Sequence, residues 1–180
     1  VIDLYSWPTA VDIGKGEQFQ PSFLAISPNN RIPARVEVLQ WLFWQVAGLG
    51  PMAGQNGHFK VYAPEKLPYA FERYEKETNR LYGVLNRRLA RREFIAGSYS
   101  IAGMACYPCI VPHAAHGQDL NQFPDLKRCF DRIAARPATR AVYQDVAVPY
   151  ARSNALSEEE RRVLFGQTAA NTRPAGDGAA

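Results

Sequence analysis

Ser27-Pro28-Asn29-Asn30-Arg31-Ile32-Pro33-Ala34 is the stretch on which the reading of this chain turns. A loop rich in Pro and Asn delivers bulky Ile32 directly before Pro33, where the pattern predicts a strand to begin. An X–Pro bond at such a corner tolerates the cis form at a cost of only ~0.5–1 kcal/mol. Pro33 also withdraws one donor and leaves a main-chain edge open. Such an edge suits an extended peptide, which pairs with it by strand addition. Taken alone, the same residues also describe a plain turn entering an edge strand.

Outward from this loop the text divides in two. Before it, Ile2, Leu4 and Tyr5 read as a short strand ended by Trp7-Pro8-Thr9, and Phe19 to Ile26 as a short helix. From Arg35 the sequence turns helical. Leu39, Leu42, Phe43, Val46 and Leu49 recur at three- and four-residue steps, and Gly48 with Gly50-Pro51 stops or bends that helix. A second helix is expected from Pro68 to Arg92, with Tyr74, Thr78, Leu81, Leu85 and Leu89 on one face. Ser100 to His113 reads as a buried apolar helix. Pro124 opens a fourth, with Leu126, Phe130 and Ile133 inward, and Pro137 starts a short fifth. Ser157-Glu158-Glu159-Glu160 has the form of a capping box for a helix ending at Gly166. The tail beyond it has the composition of a disordered segment.

Composition narrows the classes. The 180 residues are 47% apolar with a net charge of +4, as in an ordinary globular protein. No run approaches the ~18 apolar residues of a membrane span, so no membrane partner is expected. Three cysteines without an export signal imply reduced thiols and a cytoplasmic setting. Arg87-Arg88-Leu89-Ala90-Arg91-Arg92 lacks neighbouring stacking aromatics and continues a helical pattern. It reads as a solvated helix end rather than a nucleic-acid patch.

Longer motifs flank the proline loop. Val11-Asp12-Ile13-Gly14-Lys15-Gly16-Glu17-Gln18-Phe19 precedes it, and Leu39-Gln40-Trp41-Leu42-Phe43-Trp44-Gln45, Gly48-Leu49-Gly50-Pro51-Met52 and Gly54-Gln55-Asn56 follow. Together they resemble the glutathione S-transferase superfamily, in its bacterial nu class of disulfide-bond reductase type, related to the fungal Ure2 proteins. The resemblance implies a fold of α/β plus all-α class. A thioredoxin-like domain (residues 1–34) would precede an all-helical domain (35–166) and a tail (167–180). It also implies glutathione as cosubstrate, a small disulfide or electrophile as second substrate, a homodimer and no metal.

The resemblance further implies roles for single residues. Thr9 would place a hydroxyl near the glutathione sulfur and favour its thiolate. Ile32, before Pro33, would offer its backbone to the cysteinyl portion. Gln18 and Arg31 match positions near the glycine end, where amide and guanidinium suit a carboxylate. Arg73 matches an arginine that reaches across the dimer towards glutathione. Each has a plainer reading: Thr9 as turn residue or cap, Gln18 and Arg31 as solvated surface, Arg73 as an i,i+4 partner of Glu77. A non-catalytic protein binding glutathione or a hydrophobic ligand on the same scaffold is the rival.

Three features depart from the family. Segments are missing after Ala10 and after Ala34, where a crossover helix, two strands and a Glu-Ser pair belong. Either residues are passed over at both cuts or the chain lacks them; the first is expected, since half a domain buries too little core. Gly57 replaces the first His of an Asn-His-His motif, which leaves the role of His58 open. Ser100-Ile101-Ala102-Gly103 lacks the Asp that completes a cap, and lower stability is expected. Cys106-Tyr107-Pro108-Cys109, with His113 and His116 nearby, mimics a redox or zinc motif. Its apolar helical setting favours buried structural cysteines.

Overall fold

The computed structural model describes residues 32–143 and 156–169, with side chains described from Val36 onward. The regular elements among the described residues are all helices, apart from two isolated bridges, Phe94 to Gly97 and Ala96 to Ser98. Helix α1 is Ile32–Trp44. It passes through a π-helical turn, Gln45–Leu49, into α2, Gly50–Gly57, and then a second π turn, His58–Tyr62. Helix α3 is Pro68–Leu89 and α4 is Ile101–Ile110. After a 3-10 turn at Leu120–Gln122 come α5, Pro124–Ala134, α6, Pro137–Tyr143, and α7, Glu158–Phe165.

The first helix corrects the reading of the proline loop. The strand expected at Ile32-Pro33 is instead the first turn of α1, and no cis peptide bond occurs among the described residues. The physical reason is local. A proline in the first helical turn needs no N–H there, and its φ already suits a helix. Ala34 leads directly into Arg35-Val36-Glu37-Val38 with no second strand to pair against, so the helix wins.

The bend expected near Gly48 and Pro51 is the π turn before α2. Pro51 has no N–H to return to the preceding turn and its ring needs room there. The wider turn, closed by Gly50 N–H donating to the Gln45 carbonyl, supplies that room.

The core lies between α3, α2, α4 and α5. Leu81, Tyr82, Leu85 and Leu89 line one side of α3 and are buried with Leu49, Ile110, Leu126 and Ile133. Helix α3 packs on α2 and α5, while α1 packs on α4. Helix α5 has no cap of its own. Asn86 of α3 supplies one, its Oδ1 accepting from Asp125 N at 2.9 Å and Leu126 N at 3.0 Å. Helix α7 carries the expected capping box: Ser157 Oγ accepts from Glu160 N at 3.2 Å, and Glu160 Oε2 accepts from Ser157 N at 2.8 Å.

Candidate functional site

Of the residues to which the resemblance gives a role at glutathione, Arg73 is the one whose side-chain surroundings are described. Thr9, Gln18 and Arg31 lie outside the described residues, and Ile32 and Pro33 contribute helical backbone only. A strand edge for pairing with glutathione is therefore not formed at Ile32-Pro33. Arg73 stands on the second turn of α3 with its side chain 52% exposed. Its distance to Glu77 Oε2 is 3.8 Å, whereas Arg80 grips the same carboxylate with Nε at 2.9 Å and Nη2 at 2.7 Å. The Arg80 hydrogen bond is also the chief reason that Glu77 is held below the ordinary carboxylate range. Arg80 thus satisfies Glu77, and the guanidinium of Arg73 stays loosely held and available to an anion.

An aromatic group surrounds this turn. Phe59 stacks on Tyr74 with ring centroids 5.3 Å apart, and His58 meets Phe59 and Phe165 edge-on at 5.5 and 5.0 Å. Tyr62 lies 5.4 Å from Phe165, and Arg161 Nη1 donates to the Tyr62 carbonyl at 2.8 Å. The open question over His58 is answered structurally: its ring links the second π turn to α7.

Beneath Tyr74 lies a polar knot that the sequence reading missed. Asn56 Nδ2 donates to Thr78 Oγ1 at 3.1 Å and to the His116 carbonyl at 3.0 Å, and Thr78 Oγ1 donates to the Tyr74 carbonyl at 2.8 Å. Gln118 Nε2 donates to the carbonyls of Glu75 and His116, both at 3.3 Å, and its Oε1 accepts from Asn79 at 3.0 Å. The knot ties α2, the Arg73-bearing part of α3 and the loop after α4. Gly117, at φ 71°, closes that loop against the Lys60–Glu75 ion pair of 3.0 Å. A side chain at Gly117 would collide with Lys60 Nζ and Glu75 Oε1. Burial lowers the pKa of His116 to about 4, with Lys60 and then His113 adding repulsion.

The cysteines are poor nucleophiles. Burial pushes Cys106 up to about 12, helped by nearby Cys109 and Cys129, and pushes Cys129 up to about 11. Cys109 is also raised by burial, against the opposing hydrogen bond that Gln45 Nε2 donates to its sulfur at 3.3 Å. All three are free thiols. Among the described residues no group of three or more His, Cys, Asp or Glu side chains could hold a metal ion. No helix among them is long and apolar enough to cross a membrane. The basic run is tied down in part: Arg88 pairs with Glu37, donates to the Ile95 carbonyl at 2.8 Å and lies over Trp41.

No family model matches the chain. It is 43% identical to the disulfide-bond oxidoreductase YfcG of Escherichia coli over 169 residues, covering 72% of this chain and 79% of that protein. The chain belongs to the glutathione S-transferase superfamily. A second such relative, the E. coli disulfide-bond oxidoreductase YghU, is 30% identical; the chain spans only 60% of its length. The glutathione transferase URE2P6 of Phanerochaete chrysosporium, solved with oxidised glutathione, superposes with a TM-score of 0.59 at 27% identity, over 76% of this chain and 82% of that one. The described helices thus have a glutathione-transferase fold, while residues 1–31, where a thioredoxin-like domain is expected, lie outside the described residues.

The comparison with YfcG leaves positions of that relative unmatched. An alignment of 169 positions takes up 72% of a 180-residue chain, about 130 residues, so about 40 positions inside the aligned stretch face no residue here.

Proposed function

We propose that this chain is a glutathione-dependent thiol–disulfide oxidoreductase acting on small disulfides, with conjugation of electrophiles as a weaker activity. The 43% identity to an oxidoreductase of that kind carries the reading. In the reaction, two glutathione thiols pass two protons and two electrons to one small disulfide. The products are glutathione disulfide and two thiols. The Thr9 hydroxyl donates to the glutathione sulfur and favours the thiolate, on which the attack rate depends. Gln18 and Arg31 hold the glycine carboxylate. In a homodimer of the nu-class type, Arg73 serves the second subunit's glutathione, consistent with its loose hold on Glu77. Pairing through a strand edge at Ile32-Pro33 is not part of the proposal, because that segment is helical. No protein cysteine takes part, which the raised thiol pKa values support.

Calorimetric titration of the folded chain with reduced and oxidised glutathione tests it, paired with disulfide turnover by a variant carrying Ser at 106, 109 and 129. Heat with oxidised glutathione and retained turnover are expected. Loss of turnover in a folded variant that still binds would overturn the cysteine-free mechanism. A folded chain giving no heat with either ligand would favour a non-catalytic binding protein, the reading that the roughly 40 unmatched positions support.

A further inference from the structure

Cys106 and Cys109 stand three residues apart on α4, where the rise and turn of a helix bring two Cα atoms to about 5 Å. A disulfide spans about 4.4–6.8 Å between Cα atoms, so this spacing allows one. The Cys109 thiol is turned back along the helix: it donates to the Ala105 carbonyl, one turn earlier, at 3.8 Å. Between the two cysteines lies Pro108, which has no N–H for the Met104 carbonyl and whose ring crowds that turn. The helix is therefore weakest at the turn that must adjust to join the sulfurs.

Access divides the three thiols. Cys106 and Cys129 are buried, whereas Cys109 is half-buried. Gln45 Nε2, reaching from the first π turn, donates to the Cys109 sulfur at 3.3 Å. A donor to sulfur favours the thiolate, the form that attacks a disulfide. Cys109 is thus placed for a first attack, with Cys106 behind it to complete the exchange. Cys106 also shares an apolar cavity with Cys129 of α5, which makes Cys129 the competing partner.

We propose that Cys106 and Cys109 form a reversible dithiol–disulfide site, oxidised by a small disulfide such as glutathione disulfide. The Cys109 thiolate attacks one sulfur of the small disulfide, which forms a mixed disulfide and releases one thiol. Cys106 then gives up its proton and attacks the Cys109 sulfur, closing the protein disulfide and expelling the second thiol. Two protons and two electrons leave the protein and end on the two released thiols. Closure takes the Cys109 thiol from the Ala105 carbonyl and disturbs its bond with Gln45, the tie between α4 and the first π turn. Burial makes both thiols slow to react, so the site answers a lasting excess of disulfide rather than each turnover. The inference stands apart from the activity proposed above, because any small disulfide serves as the oxidant.

Mass spectrometry of the full chain tests it. The folded protein is incubated with glutathione disulfide, the oxidant is removed, remaining thiols are alkylated in denaturant, and tryptic peptides are weighed without reduction. Trypsin leaves Cys106 and Cys109 together on residues 93–127 and Cys129 apart on residues 129–132. The larger peptide should be two hydrogens lighter than its dithiol form, with Cys129 alkylated. Excess reduced glutathione, added before alkylation, should restore both thiols. In Cys106→Ser the same treatment should stop at a glutathione adduct on Cys109. If that variant does not fold, the peptides of the parent chain decide alone. A link between the two peptides, an adduct on the parent's Cys109 that never closes, or alkylation of all three thiols would each overturn the proposal.

Discussion

Asn56 and Thr78 meet through one hydrogen bond, Nδ2 to Oγ1 at 3.1 Å, and both residues are fully buried. The same amide holds the His116 carbonyl. Replacing Asn56 by Ala takes away the donor to Thr78 Oγ1, leaves the His116 carbonyl with only the 3.3 Å bond from Gln118 Nε2, and opens a hole between α2 and α3. Leaving buried polar groups unsatisfied costs about 1–3 kcal/mol. Urea unfolding of Asn56→Ala should show a loss in that range at unchanged m-value. Asn56→Leu, which fills the space without hydrogen bonding, should recover little of it.

His116 makes the same region sensitive to acid. It is 1% exposed, and its pKa is lowered from the usual 6.5 to about 4 in the fold. The unfolded chain therefore binds the proton more readily, and stability is greatest above about pH 6.5. It falls as the pH drops through that value, and this group's share is fully lost below about 4. A gap of about 2.5 pKa units corresponds to roughly 3 kcal/mol. Denaturation midpoints measured between pH 4 and 7.5 should fall accordingly. In His116→Gln the slope across that window should be clearly shallower, even if the variant starts less stable.

These two features were hidden from sequence reading for a physical reason. Asn56 lies 22 residues from Thr78 and 60 from His116, and polar side chains carry no periodic mark of burial. The stripe of Tyr74, Thr78, Leu81, Leu85 and Leu89 is legible because its spacing is the helix period itself; the last four are buried and Tyr74 is half-buried. The Ser157–Glu160 box is legible because both halves lie within one turn. Ile32-Pro33 misleads because its local chemistry suits a strand entry and a first helical turn alike. The partner strand decides between them, and a loop of eight residues cannot report whether one follows.

Ser100 Oγ is buried without a hydrogen-bond partner, and Ser100 caps α4 with no side-chain bond. The third helical position after it is Gly103, which offers no carboxylate. A Cβ there meets only Ile133 Cδ1, at 3.7 Å, an ordinary contact. Gly103→Asp should therefore complete the capping pair and also remove the backbone freedom of glycine. A cap is worth about 0.5–2 kcal/mol and the glycine about 1 kcal/mol. The melting temperature should rise, and by more than in Gly103→Ala, which gains the backbone share alone. Equal melting temperatures for Gly103→Asp and the parent would show that the lone hydroxyl has another cause.

Arg73 separates structure from binding. Its 3.8 Å approach to Glu77 lies at an exposed surface, where such pairs contribute about 0–1 kcal/mol. Arg80 keeps Glu77 satisfied whatever stands at 73. Arg73→Gln should thus leave the unfolding midpoint nearly unchanged. If the guanidinium holds a glutathione carboxylate, losing a hydrogen bond to a charged group costs about 1.5–3 kcal/mol, roughly a 10- to 100-fold weaker affinity. The KM for glutathione should rise by that factor with little change in kcat, because the interaction is the same before and during sulfur transfer. Arg73→Lys keeps the charge but loses the planar fork, and should fall between the two. An unchanged KM in both variants, with the fold intact, would remove Arg73 from the site.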